Sequence, residues 1–112
     1  MSIAALPGPD PQEVSKRIDV LQRLAAGNSA NIRSIERDLK THYLPMFTQF
    51  RSRLDTAKNV TEQHQRDAWG LATQLEQQTP NYASVCAKAD LLEPAIMRMA
   101  VLAQVLRDKT EQ

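Results

Sequence analysis

The sequence has few of the residues that β-sheet proteins use. Its 112 residues include only five aromatic residues (two Phe, two Tyr and one Trp) and three glycines. The six prolines lie near the N-terminus or at widely spaced positions, not in the regular turn clusters that many short strands need. The apolar residues are mainly Leu, Ile, Val, Ala and Met, which fill helical stripes readily. The composition therefore predicts an all-α protein and argues against a β-sandwich or barrel.

Cysteine and long apolar runs are also scarce. The single Cys86 excludes an intramolecular disulfide and fits a reducing compartment, so we expect a cytoplasmic protein. No apolar run approaches the length needed to cross a bilayer, and residues 1–6 lack the basic start and apolar core of a signal peptide. The sequence predicts no direct membrane insertion.

No charge of one sign dominates, because 14 basic and 13 acidic residues give a net charge of +1. The basic residues Arg33, Arg37 and Lys40 alternate with Glu36 and Asp38. This pattern is typical of a solvated helix face with pairs within the helix, not of a surface that follows phosphates. We therefore expect no nucleic-acid partner.

The chain divides into a flexible Pro-rich leader, residues 1–9, and a single helical domain, residues 10–112. Asp10-Pro11-Gln12-Glu13 has the pattern of a helix start, with an N-cap, Pro at the first helical position and Glu three residues after the cap. Gly27-Asn28-Ser29 offers a C-terminal glycine followed by a new N-cap. The first helix is therefore predicted to be short, with a turn or kink at Gly27.

A long helix is predicted next. Pro45 cannot donate to the carbonyl of Thr41, so we expect a kink or break near Tyr43-Leu44. About 30 helical residues should follow, spanning roughly 45 Å. Their seam positions alternate steps of three and four, as in a coiled coil or long bundle helix: Phe47, Phe50, Leu54, Ala57, Thr61, His64, Ala68, Leu71 and Leu75.

The last helix has two possible starts. Thr79-Pro80 resembles a cap followed by Pro at the first helical position, and Asp90 to Glu93 forms a second possible capping box. Pro94 kinks the helix if it runs from Pro80, or falls in the first turn if the helix restarts at Asp90. We expect a kinked or restarted helix, with this stripe: Val85, Ala89, Leu92, Ile96, Met99, Ala103 and Leu106.

No pattern of catalytic, cofactor-binding or metal-binding residues is recognisable. His42 and His64 are too far apart for a helical metal pair, and no histidine or cationic cluster near Cys86 would activate its thiol. Thr61 and His64 occupy seam positions, where polar residues either set helix register or lie partly exposed at the seam edge. Trp69 is either an interface anchor or an ordinary packing residue.

The fold class predicted from these patterns is an elongated helical hairpin or coiled-coil bundle with long heptad-patterned helices. Its apolar stripes are expected to contact other helical or coiled-coil proteins, in a hetero-oligomer rather than a homo-oligomer. The residues predicted to form the partner interface are Phe47, Phe50, Leu54, Leu71, Leu75, Leu92, Ile96, Met99 and Leu106.

Several short motifs carry a family resemblance: Leu44-Pro45, Leu71-Ala72-Thr73-Gln74-Leu75, Pro80-Asn81-Tyr82-Ala83, Leu91-Leu92, and residues 101–106. With these motifs the chain resembles the snapin family and related small coiled-coil subunits of the lysosome-related-organelle biogenesis and BORC complexes. The resemblance implies a rod-like, non-catalytic subunit in endosome and lysosome traffic, peripheral on organelle membranes through its complex. The Pro-rich start and the absence of a basic C-terminal extension depart from that family.

Those departures leave other functions open. One is a subunit of another elongated assembly, such as a kinetochore, dynactin or Mediator complex. Another is a self-contained helical adaptor or secretion-chaperone-like domain that folds alone and binds a peptide in a groove. An enzyme is the third class, but it would need convergent carboxylates and histidines that the sequence does not place at suitable spacing.

Overall fold

The chain forms three long helices in a computed structural model, which describes residues 8–111. The helices are α1 (Pro11–His42), α2 (Leu44–Leu75) and α3 (Tyr82–Thr110), and no strand occurs in this range. The all-α prediction is confirmed. Residues 1–7 of the predicted leader lie outside the described residues, whereas Gly8 and Pro9 lie within them and precede α1.

The start of α1 follows its capping signal, but the helix is not short. The side chain of Asp10 accepts a hydrogen bond of 3.0 Å from the backbone N–H of Gln12, and Pro11 opens the helix. The helix then continues through Gly27, which has no positive φ. Asn28 and Ser29 are buried in the bundle instead of capping a new helix. The predicted turn at Gly27 is therefore wrong, because tertiary packing overrides the local signal.

The connection between α1 and α2 is the break that Pro45 predicts. Tyr43 has non-helical backbone angles, φ −141° and ψ 62°, and its N–H donates to the carbonyl of Leu39 at 2.8 Å. Pro45 lies in the first turn of α2, where its missing N–H leaves no intrahelical bond unmade. The 32-residue α2 confirms the predicted long helix.

The third helix begins between the two predicted starts, Pro80 and Asp90, and continues past Pro94 without a break. Asn81, not Thr79, is the N-cap: its side-chain oxygen accepts a 2.9 Å hydrogen bond from the N–H of Ser84. The alternative restart at Asp90 is also wrong. The Asp90 carboxylate is not needed as a cap, and it pairs with Arg17 of α1 at 2.8 Å.

The helices run up, down and up, and they bury two apolar clusters along their length. Each cluster draws residues from all three helices, with stripes that step by threes and fours. The first core cluster comprises Val14, Ile18, Leu21, Ala25, Ala68, Leu71, Val85, Ala89, Leu92 and Ile96. The second core cluster comprises Ile32, Ile35, Leu39, Phe50, Leu54, Ala57, Met99, Ala103 and Leu106.

Four buried polar residues lie along the chain between the contributions to these clusters. We call Asn28, Ser29, Thr61 and His64 the central polar belt. The bundle is elongated, with dimensions of 69 × 24 × 17 Å. α1 and α2 share the most extensive contact, and α3 packs against both.

Candidate interaction surface on α3

α3 is apolar on two faces, and only one of them lies in the core. Leu91 is 79% exposed and Val101 is 64% exposed, and three further large apolar side chains of α3 are exposed beside them. We call this set the outer face of α3: Leu91, Met97, Val101, Leu102 and Val105. A helix of a soluble protein normally has one apolar stripe, and a helix that is apolar all round is usually covered all round. The outer face therefore has the character of a surface that another molecule covers.

The other helices expose fewer large apolar side chains. Val20 and Leu24 are exposed on α1, and Leu44, Val60 and Trp69 are exposed on α2. Trp69 is 66% exposed and borders a shallow cleft between α1 and α2, so it is not the ordinary packing residue that one interpretation of the sequence expected. Its alternative role as an interface anchor stays a prediction.

A groove of about 500 Å³ lies between α2 and α3, next to the outer face. We call it the α2–α3 groove. Asp67 and Gly70 of α2 line one side, and Lys88, Leu91 and Ala95 of α3 line the other. Because it combines an apolar wall with charged borders, the groove has the chemistry of a site for an amphipathic segment.

The charges around this groove are distributed unequally. The two acidic side chains in the middle of α3, Asp90 and Glu93, pair with α1 and not with the groove. The Arg17 guanidinium of α1 lies 2.8 Å from Asp90 and 3.1 Å from Glu93. These contacts, the hydrogen bond to Asp90 above all, raise the pKa of Arg17. In the described range, neither Lys88 nor Arg66 forms an ion pair with a carboxylate. Arg66 and Lys88 therefore keep unpaired positive charge at the borders of the groove, where Asp67 is the acidic residue.

The central polar belt forms part of the groove wall through His64. The sequence left open whether Thr61 and His64 are partly exposed, and the structure buries both. The Thr61 hydroxyl donates to the carbonyl of Lys58 at 2.9 Å, whereas Nδ1 of His64 has no hydrogen-bond partner among residues 8–111. Burial lowers the pKa of His64; the nearby Asp67 carboxylate opposes this shift, and Arg98 adds to it.

The structure places the predicted interface residues mostly between the helices of this chain. Leu71, Leu92 and Ile96 belong to the first core cluster, and Leu75 packs partly buried against it. The second core cluster contains Phe50, Leu54, Met99 and Leu106, with Phe47 packed against it. Their contact with a partner chain stays a prediction, since their apolar surface is already largely covered.

The outer face of α3 was not among the sequence predictions, which assign one apolar stripe to each helix. The signal that points to it is the pairing of adjacent apolar residues. Leu91 precedes the buried Leu92, and adjacent residues of a helix point about 100° apart, so Leu91 lies outside the core stripe. The neighbours Val101 and Leu102 are both exposed and directly precede the buried Ala103.

The described residues contain no group of three or more His, Cys, Asp and Glu side chains that could hold a metal ion. None of their helices is long and apolar enough to cross a membrane. Cys86 is partly buried and packs against the first core cluster. No known protein family, curated protein or solved structure matches this chain.

Proposed function

We propose that this chain is a non-catalytic structural subunit of a hetero-oligomeric helical assembly, and that it joins the assembly through the outer face of α3. The observation that carries the proposal is the second apolar face of this helix, which the bundle itself leaves exposed. Burying the exposed parts of these side chains stabilises an interface by about 1 kcal/mol each. We further propose that the protein acts in the cytoplasm. The resemblance to snapin-type subunits makes endosome and lysosome traffic the first process to examine.

A second candidate function is a self-contained helical adaptor or chaperone-like binding domain. The observation that favours it is the core: all three helices of one chain contribute to both core clusters. Such a bundle needs no partner to bury its main stripes. It would exist alone and bind a helical segment reversibly.

The proposal is tested by purifying the tagged chain from cells that produce it and measuring the stoichiometry of the helical proteins that accompany it. The informative variant replaces Val101 and Val105 with Glu, which places charges on the outer face. The matched control is Ser52→Glu, which adds a charge at an exposed position of α2. We expect the double variant to lose its stoichiometric partners and the control to keep them.

Folding must be measured alongside, so that loss of assembly is not confused with unfolding. Both variants alter exposed side chains, so their denaturant midpoints should stay close to that of the unmodified chain. An assembly that survives the double variant would contradict the proposal. Recovery of the unmodified chain alone, as a folded monomer, would also contradict it and would favour the second candidate.

A further inference from the structure

We propose that the α2–α3 groove binds an amphipathic helix of a partner protein whose apolar stripe is flanked by acidic residues. This inference rests on the proposed function and adds the chemistry of the partner. It is carried by three features of the groove: its shape, a glycine with open space above it, and basic side chains at its borders that no carboxylate of the described residues pairs with.

The shape of the groove suits a helix. Leu91, Ala95 and Leu102 are separated by steps of four and seven, so they lie along one side of α3. Leu91 and Ala95 line the groove, and Leu102 continues the same side. An apolar wall with this spacing matches the stripe that an amphipathic helix presents. The groove also adjoins the outer face of α3, so one partner helix covers both surfaces.

Gly70 faces this wall from α2. An added Cβ at Gly70 would meet nothing within 4 Å, and its φ is not positive, so the backbone does not require glycine there. Glycine in a helix interior lowers the stability of the helix relative to alanine. Gly70 therefore destabilises α2, although nothing in the surrounding structure requires glycine there. Its effect is to keep the groove open for the close approach of another side chain.

The borders of the groove specify the charge of the partner. Arg66 donates to the side-chain oxygen of Gln63 at 2.8 Å, and no carboxylate of the described residues forms an ion pair with Arg66, Lys88 or Arg98. Arg98 is exposed, and its spacing of three residues from Ala95 and seven from Leu91 places it on the same side of α3 as these two groove residues. Asp67 is the acidic residue that lines the groove, and it accepts a hydrogen bond from Gln63.

Charge complementarity therefore favours acidic flanks on the partner. A second copy of this chain fits less well, since docking through the same groove would bring like cations together. The groove therefore fits a partner helix with acidic flanks better than a second copy of this chain.

Two synthetic peptides of about three heptads test this directly with the full chain. Both carry Leu at the a and d positions; one has Glu at all e and g positions and the other has Lys there. Binding is measured by fluorescence anisotropy at physiological salt. We expect the acidic peptide to bind at least about tenfold more tightly than the basic one. Replacing Lys88 and Arg98 with Glu should reverse that preference.

The variant Gly70→Leu tests the shape of the groove separately from its charge. Leucine at this position fills the open space, so binding of the acidic peptide should weaken at least about tenfold while the helix gains propensity. The matched control is Gly27→Leu on α1, where an added Cβ also meets nothing within 4 Å. This control should bind the acidic peptide as the unmodified chain does.

Equal binding of the two peptides, or full binding by Gly70→Leu, would overturn the inference. Dimerisation of the chain through the groove, or preferential binding to vesicles of anionic lipid, would overturn it as well. If the peptides fail while the Val101 and Val105 double variant still loses its native partners, this inference is wrong and the proposed function stands. If the acidic peptide occupies the groove while the purified chain has no stoichiometric partners, the proposed function fails and the groove assignment stands.

Discussion

The side-chain amide of Asn28 donates a hydrogen bond to the backbone carbonyl of Ile96, at a distance of 3.0 Å. The bond is buried and joins α1 to α3 at the level of the central polar belt. Ile96 itself belongs to the first core cluster, so this contact fixes how far α3 is shifted along α1. A buried polar contact of this kind specifies register more than it adds stability.

Asn28→Ala should lower the free energy of unfolding by about 1 kcal/mol, because one buried hydrogen bond is lost. Denaturant unfolding followed by circular dichroism measures the change. Asn31→Ala is the matched control, since Asn31 is exposed on the same helix and should change the stability little. Equal effects of the two substitutions would show that the bond to Ile96 contributes nothing.

Stability should decrease in mild acid because of His64. Burial lowers the pKa of this imidazole below its ordinary value of 6.5 in the folded chain. The unfolded chain therefore binds a proton at a higher pH than the folded chain does, and stability falls as pH drops below about 6.5. His64→Gln should flatten this dependence in unfolding experiments between about pH 5 and 8.

The exposed His42 supplies the control for that experiment. His42→Gln should keep the decrease in stability at acid pH that the unmodified chain shows. A pH dependence that is the same with and without His64 would exclude this histidine as its origin.

Gly27→Ala should raise the free energy of unfolding by about 0.5–1 kcal/mol. Gly27 lies within α1 with helical backbone angles, and an added Cβ would meet nothing within 4 Å. Alanine reduces the backbone entropy that is lost on folding, at no steric cost. Thermal unfolding measures the gain, and Ala26→Gly at the neighbouring exposed position should produce a loss of similar size. A decrease in stability for Gly27→Ala would mean that this position is not helical in solution.

Leu71→Glu should lower the free energy of unfolding strongly, whereas Leu91→Glu should leave it nearly unchanged. Leu71 is 4% exposed inside the first core cluster, so a charge there should cost about 3 kcal/mol or more. Leu91 is 79% exposed, so Leu91→Glu should change the stability by less than about 0.5 kcal/mol. Circular dichroism and size-exclusion chromatography of each isolated variant check both values. A strongly destabilised Leu91→Glu variant would contradict the exposed position of this side chain.

The apolar periodicity of the sequence was sufficient to predict which apolar stripes α2 and α3 bury. The same steps place Thr61 and His64 in the seam, but the burial of these two polar residues was left open, because a polar seam residue can also lie at the exposed edge. The break at Tyr43 was also predictable, because Pro45 limits the helix by sterics alone. These features depend on neighbours in the chain, which a sequence displays directly.

The errors concern features that depend on distant partners. Gly27-Asn28-Ser29 has the composition of a helix end, but the amide of Asn28 bonds to α3 and the helix continues. Asp90 has the pattern of a cap, but Arg17 of α1 engages its carboxylate. An apolar stripe such as that of Leu92 likewise looks the same whether the helix that covers it belongs to the same chain or to another. The adjacent apolar pairs of α3 indicate a second apolar face, but which face stays exposed follows only from the chain's own packing.

Because the bundle has three helices, the chain enters it at one end and leaves it at the opposite end. Asp10 and Glu111 are therefore separated by roughly the length of α3, about 45 Å for its 29 residues. A mechanical load applied between these two points would act parallel to the helix axes. It would shear the helices past one another and strain both core clusters together, instead of peeling one helix away turn by turn. In mechanical terms, the bundle resists tension along its length.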